Sequence, residues 1–199
     1  MLNIIHPYTF HVSSDTLKIG GGPEFIDRNK EVSLFIRECI DNKVKVACHF
    51  IRDGNPFNPL MTEISIKSDP NLRLLLGKGI SKLYTTAGGI PVPDEKPEEI
   101  DDKIWAWIEK NMTSRSQFGS KIGKSKNLIF VGGMLESCVA NVANYCHQNY
   151  REKDLNLFYI PEFCIVHDNI YLEKLMPEFE EMNFNPISAY DAFEILKKS

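Results

Sequence analysis

The stretch Phe130-Val131-Gly132-Gly133-Met134-Leu135-Glu136-Ser137-Cys138-Val139 carries the residue types from which a nucleophilic site is built. An apolar run ends in two glycines, a short turn follows, and a cysteine opens an amphipathic stretch. Glycine lets a backbone turn sharply and approach a ligand closely. The first turn of a helix leaves N–H groups without intrahelical partners and carries a partial positive charge. That field favours a thiolate over a thiol, so the spacing predicts a lowered pKa for Cys138. The N–H groups of Leu135, Ser137 and Cys138 are placed to hold a developing oxyanion. The competing expectation is structural, because free cysteines are commonly small buried hydrophobes and strand–turn–helix units recur throughout α/β domains.

Such a cysteine needs a strand to carry the turn and a helix to follow it. The pattern predicts strands over Leu2 to Ile5, Val44 to Ile51, Ile80 to Thr86, and Leu128 to Val131, the last broken by Gly132-Gly133; another lies within Leu155 to Val166. Helices are expected over Phe25 to Ile40, with Phe25, Val32, Phe35, Ile36 and Ile40 near helical spacing, and over Ser137 to about Gln148. The clearest helix runs from Pro97 to Met112, with Pro97, Glu98 and Glu99 at its start and Lys110 in its last turn. Asp168 is expected to cap a helix to about Met182 that Pro177 kinks or splits. Pro186 to Ala189 reads as a last strand before a short helix from about Asp191, and Thr113 to Asn127 reads as a polar loop. Arg52 to about Asn71 reads as irregular, with turn signals at Asp53-Gly54-Asn55-Pro56 and Asn58-Pro59. The β–α alternation predicts a three-layer α/β architecture: a mostly parallel sheet with helices on both faces, and chemistry at the carboxyl ends of its strands.

The 199 residues fit one domain, 1–199. With 43% hydrophobic and 25% charged residues the composition is that of a globular chain, and the formal net charge of −4 argues against a nucleic-acid partner. No apolar run approaches the roughly 18 residues of a membrane span, so no membrane partner is expected. The opening Met1-Leu2-Asn3-Ile4-Ile5-His6 does not have the pattern of a signal peptide. Cys39, Cys48, Cys138, Cys146 and Cys164 are odd in number and form no Cys-x-x-Cys pair, which points to a reducing, cytoplasmic setting.

The cysteine segment resembles the nucleophile motif of isochorismatase-like hydrolases, a strand followed by Gly-x-x-Thr-Asp/Glu-x-Cys-Val and a helix. Gly132, Glu136, Cys138 and Val139 match, and Leu135 stands where threonine is usual. Leu2-Asn3-Ile4-Ile5-His6-Pro7-Tyr8-Thr9-Phe10, then Leu17 and Gly20-Gly21-Gly22, resembles the family's opening strand, its Asp-x-Gln-x-x-Phe and its glycine-containing approach to the first helix. The resemblance implies a Rossmann-like fold and a cysteine hydrolase of a small amide or related substrate, working through a covalent intermediate. It implies a catalytic trio of cysteine, aspartate base and lysine, and a homo-oligomer, a dimer or tetramer.

The sequence departs from that pattern at the base, where His6 stands for the aspartate. Imidazole can take a thiol proton, so His6 is a replacement base, the mark of lost catalysis, or a histidine that only fills space at a strand end and does not correspond to the aspartate. The lysine is either Lys82, at the end of a plausible strand, or Lys110, in a Lys-x-x-x-Ser arrangement with Ser114. Some family members bind a metal through Asp-x-His after the second strand; Asp53 has no histidine at that spacing, and His49 is expected to pack or face solvent. Neither metal nor other cofactor is expected. Lys121, Lys124 and Lys126 read as a solvated basic loop, Trp105 and Trp107 as core or interface, and Cys146 as core. Two other readings remain beside the hydrolase: a catalytically silent module that binds a small molecule or a protein, and a redox-responsive protein using Cys138.

Overall fold

In a computed structural model of the chain, the described residues are 1–6, 24–51, 80–86, 88–122, 125–166 and 168–198. The segments Pro7–Gly22 and Arg52–Asn71, which carry part of the family resemblance and the Asp53 turn, lie outside them.

The strands are β1 (Leu2–Ile5), β2 (Val46–Ile51), β3 (Ile80–Thr85), β4 (Asn127–Met134), β5 (Asn156–Ile165) and β6 (Phe184–Pro186). They form one sheet in the order β3-β2-β1-β4-β5-β6, parallel at every pairing. The order moves outward from β1 to β3, returns, and moves outward again from β4 to β6. The direction of winding therefore changes between β1 and β4, the place in such sheets where ligand sites commonly form at the strands' carboxyl ends.

Side chains alternate across a strand, so each strand feeds two cores. Ile5, Ala47, Leu83, Phe130 and Leu157 face one core, together with Phe118, Cys138, Val142 and Phe179. Leu2, Ile4, Val46, Cys48, Phe50 and Val131 face the other, with Val32, Phe35, Ile36, Ala192 and Leu196. The helices are α1 (Glu24–Asp41), α2 (Asp102–Asn111), α3 (Arg115–Ile122), α4 (Ala140–Asn149), α5 (Asn169–Glu181) and α6 (Ala189–Lys197); all but α2, which packs in a smaller separate cluster, cover these two faces. This is the expected three-layer arrangement. Among the described residues no helix is long and apolar enough to cross a membrane.

Several boundaries differ from expectation, each for a local reason. Helix α3 occupies part of the stretch read as a loop. Ser114 and Gln117 cap it reciprocally: the Ser114 N–H donates to Gln117 Oε1 (3.1 Å) and the Gln117 N–H to Ser114 Oγ (3.4 Å). Phe118 and Ile122, one turn apart, are fully buried. Helix α2 starts at Asp102 instead of Pro97, because Asp101 accepts from the N–H groups of Lys103 (2.9 Å) and Ile104 (3.4 Å). Pro177 lies inside an unbroken α5; both it and Glu173, whose carbonyl it leaves without a helical donor, are exposed to water. The last strand is Phe184–Pro186, and α6 starts at Ala189 because Ser188 Oγ accepts the Asp191 N–H (3.1 Å).

The outer edge of β3 is covered by the chain itself. The Thr113 N–H donates to the Tyr84 carbonyl (2.8 Å), the Tyr84 N–H to Thr113 Oγ1 (2.9 Å), and Lys121 Nζ to the Lys82 carbonyl (3.0 Å). Lys121 is therefore part of α3 and caps a sheet edge.

Candidate active site

The two glycines bulge β4 without ending it. The strand continues to Met134, and its register with β5 shifts between Phe130 and Gly132 and again between Gly132 and Met134. Gly132 and Gly133 both have left-handed backbones (φ 84° and 48°), which glycine adopts without strain. A Cβ at Gly133 would lie 3.2 Å from Ile5 Cγ2 and 3.3 Å from Val139 Cγ2. Its absence lets β1 and the turn after β4 close on each other.

That turn, Leu135–Val139, is one turn of π-helix leading into α4, with the Ala140 N–H bonded to the Leu135 carbonyl. Met134, which precedes it, is extended and makes no side-chain capping hydrogen bond. Cys138 lies here at 7% exposure, its thiol donating to Ser137 Oγ at 4.0 Å. Burial raises the thiol pKa above its ordinary value. Hydrogen bonding from Ser137 and from the backbone of Met134 and Cys138 opposes the rise, and the charge of Glu136 adds to it. The expectation of a lowered pKa is corrected: desolvation outweighs the hydrogen bonds that favour the thiolate. The backbone groups that act on the sulfur are those of Met134 and Cys138.

Glu136 is buried, and its Oε1 accepts the Asp168 N–H (3.0 Å). Asp168 in turn caps α5 by accepting from the Tyr171 N–H (2.9 Å). The motif's glutamate thus ties the cysteine turn to the start of a neighbouring helix.

His6 ends β1, the strand beside β4. Ile5 pairs with Gly132 in register, and the His6 N–H donates to the His49 carbonyl (3.0 Å). The His6 backbone is left-handed (φ 50°), which takes its side chain out of the strand's alternation at the carboxyl edge. The residue is fully buried, and burial pushes its pKa down to about 4. The imidazole is therefore neutral near pH 7, with a lone pair at one nitrogen but a weaker pull on a proton than an exposed ring. The loop after β3 closes the same corner: a Cβ at Gly89 would lie 2.6 Å from Val142 Cγ2 and 3.4 Å from the Cys138 carbonyl oxygen.

Two further polar residues lie buried here: His49, expected to pack or face solvent, packs, and Thr85 escaped the sequence reading. His49 on β2 is fully buried, its Nε2 lying 3.2 Å from Asn3 Oδ1 and its ring edge-on to Phe118 at 5.6 Å. Burial first, then the neighbouring His6 charge, lowers its pKa to about 3. Thr85, at the end of β3, is fully buried, and its Oγ1 has no hydrogen-bond partner. The signal was available: Asn3, His49 and Thr85 interrupt apolar strands at positions that alternation assigns to the Cys138 face.

The lysines are not brought to this corner. Lys82 is paired with Cys48 in mid-strand, and alternation places it with Ile80 and Tyr84 on the face opposite Cys138. Lys110 is exposed in the last turn of α2. The neighbouring Trp105 and Trp107 pack with Val92, Ile108 and Met112 in a third, smaller cluster. Cys146 is buried in the core of α4, and all five cysteines are free thiols. Among the described residues no group of three or more His, Cys, Asp or Glu side chains is arranged to hold a metal ion.

No family model and no curated protein sequence matches the chain. Solved structures do. A nicotinamidase from Bacillus subtilis matches with a TM-score of 0.59 at 11% identity, over 94% of this chain and 97% of that one. YcaC from Pseudomonas aeruginosa, solved with covalent acrylamide, matches with a TM-score of 0.54 at 12% identity, over 100% of this chain and 80% of that one. A ribonuclease from Caenorhabditis elegans matches with a TM-score of 0.53 at 11% identity, over 98% and 79% of the two chains. The fold is therefore that of the isochorismatase-like hydrolases, and identities this low speak for the fold alone.

Proposed function

We propose that the chain is a cysteine hydrolase of a small amide or related compound, with Cys138 as nucleophile and His6 as base. One observation carries this reading: Cys138 lies in the turn after β4, next to the strand β1 that His6 follows, at the point where the sheet's winding reverses. In the reaction the Cys138 sulfur attacks the amide carbonyl while a ring nitrogen of His6 takes the thiol proton. Backbone N–H groups of the Met134–Cys138 turn stabilise the oxyanion. The tetrahedral species expels the amine, which takes the proton from His6 and leaves a thioester on Cys138. Water, giving a proton to His6, opens the thioester and releases the acid, and the proton returns to the sulfur. No lysine is assigned a step, because Lys82 faces away from the sulfur.

The pKa values shape this mechanism. A raised thiol beside a depressed imidazole rests as a neutral pair, not as thiolate and imidazolium. Proton transfer must then accompany carbon–sulfur bond formation. The same neutral pair favours a second reading, a protein that binds a small molecule without turning it over.

The deciding experiment measures turnover of a panel of small primary amides with the wild-type chain and with Cys138→Ala, alongside intact-mass detection of acrylamide on the protein. Amide turnover lost in Cys138→Ala, with the adduct mapped to Cys138, is the expected result. Full turnover by Cys138→Ala would remove the mechanism. Substrate binding without turnover in both proteins would leave the binding-protein reading.

A further inference from the structure

A second concave site lies at the amino ends of the strands, the end of the sheet opposite the Cys138 turn. A cavity of about 120 Å³ opens there, with Lys43, Lys45, Ser125, Leu196 and Lys197 in its wall. The wall is drawn from the exit of α1, the entry to β2, the segment before β4 and the end of α6. Backbone hydrogen bonds hold these pieces in place. The Val44 N–H donates to the Cys39 carbonyl (2.9 Å), the Leu2 N–H to the Lys45 carbonyl (2.9 Å) and the Ser125 N–H to the Ile122 carbonyl (3.1 Å).

Three of the lining residues are lysines and none is a carboxylate. Lys197 pairs with Glu194 on its own helix and lies over the Phe193 ring (4.7 Å). Lys43 and Lys45 make no ion pair among the described residues. Like charges around one concavity repel each other and attract an anion. Lys43 also has a left-handed backbone (φ 59°) just past the end of α1. Glycine or asparagine takes such a position at less cost, so the lysine needs a use for its side chain. Ser125 is only 6% exposed, and its hydroxyl has no hydrogen-bond partner among the described residues. A buried hydroxyl is a donor that an anion's oxygen satisfies. We infer that this cavity binds a phosphate group. The ammonium groups of Lys43, Lys45 and Lys197 surround its charge, and Ser125 Oγ–H donates to one of its oxygens. The volume holds one phosphoryl group, so any larger part of a ligand stays outside. The site is independent of the chemistry at Cys138.

The test titrates the whole chain with inorganic phosphate and with glycerol phosphate, against chloride at matched ionic strength. Binding is read by calorimetry and by amide NMR shifts. Saturable binding is expected, with the shifts centred on residues 42–45, Ser125 and 196–197. Lys45→Ala and Lys43→Asn, both at exposed positions, are each expected to weaken phosphate binding by about tenfold. Without phosphate, Lys43→Asn should unfold at the same or a higher temperature, because asparagine suits the left-handed backbone. Lysines that serve only the helix ends would lower the unfolding temperature alike with and without phosphate. That result, or equal binding by wild type and both variants, overturns the inference. Shifts that chloride reproduces mark general screening and overturn it as well. Tighter binding of the ester supports a phosphorylated small molecule as the ligand, and tighter binding of the inorganic ion supports free phosphate.

Discussion

At the residue scale the site depends on two groups whose environments oppose their usual charges. The position of Cys138 at a helix start was legible, because glycines, turn and amphipathic run follow one another in the chain. Its pKa direction was not, because desolvation comes from residues such as Ile5 that lie far away in sequence. Alkylation of Cys138 by iodoacetamide is therefore expected to rise with pH only above about pH 9, following a raised thiol. A rate that levels off below pH 8 would show an activated thiolate and contradict the neutral pair. Thr85 offers a second check. Its buried Oγ1 has no partner, so Thr85→Val removes a desolvation cost without opening a cavity. Thermal unfolding should show stability unchanged or raised by up to about 1 kcal/mol; a comparable loss would mean that the hydroxyl is bonded in solution.

At the element scale the chain reads well where apolar periodicity is strong and poorly where capping decides. The strands and the long helix α1 follow from their hydrophobic spacing. Helix α3 was hidden because its composition is polar, and its two core residues, Phe118 and Ile122, give little periodic signal. The Ser114–Gln117 capping box was the readable clue. The glycines of β4 misled in the other direction. Two in succession look like the end of a strand, yet the pairing with β5 passes through them by shifting register. Gly133 is the tighter constraint on the site, since a methyl there would press on both Ile5 and Val139 at a left-handed backbone. Gly133→Ala is expected to cost about 1–3 kcal/mol in denaturant unfolding and to displace the cysteine turn. Wild-type stability and wild-type Cys138 reactivity in that variant would show that the contact yields freely.

At the scale of the whole molecule the β–α alternation announced a parallel sheet, but not its order. Order depends on which way each crossover turns outward, a choice made by the packing of helices on two faces. The order matters because it brings β1 and β4 together and so collects His6, His49 and Cys138 at one edge, inside a core. The collection has a thermodynamic consequence. His6 and His49 fold as neutral rings with pKa values lowered to about 4 and about 3, whereas the unfolded chain binds their protons near 6.5. Above 6.5 neither state is protonated at these rings, and the folded state keeps its full stability. As the pH falls from 6.5 toward 4 and then 3, the unfolded chain gains up to two protons that the folded core refuses. Stability is then lost at up to about 1.4 kcal/mol per pH unit for each ring, roughly 8 kcal/mol across the whole window for the two rings together. Asp94, held down by the Ser116 backbone, and Asp102, held down by Lys96, are exposed and lose their contribution only below about pH 4, so they do not mask the histidines. Denaturant midpoints at pH 7, 5.5 and 4.5 should fall steadily, and His49→Gln, which cannot titrate there, should fall with about half the slope. Midpoints that hold level between pH 7 and 4.5 would mean that these rings are hydrated in solution, and with that the buried neutral pair on which the proton transfer to His6 depends would be lost.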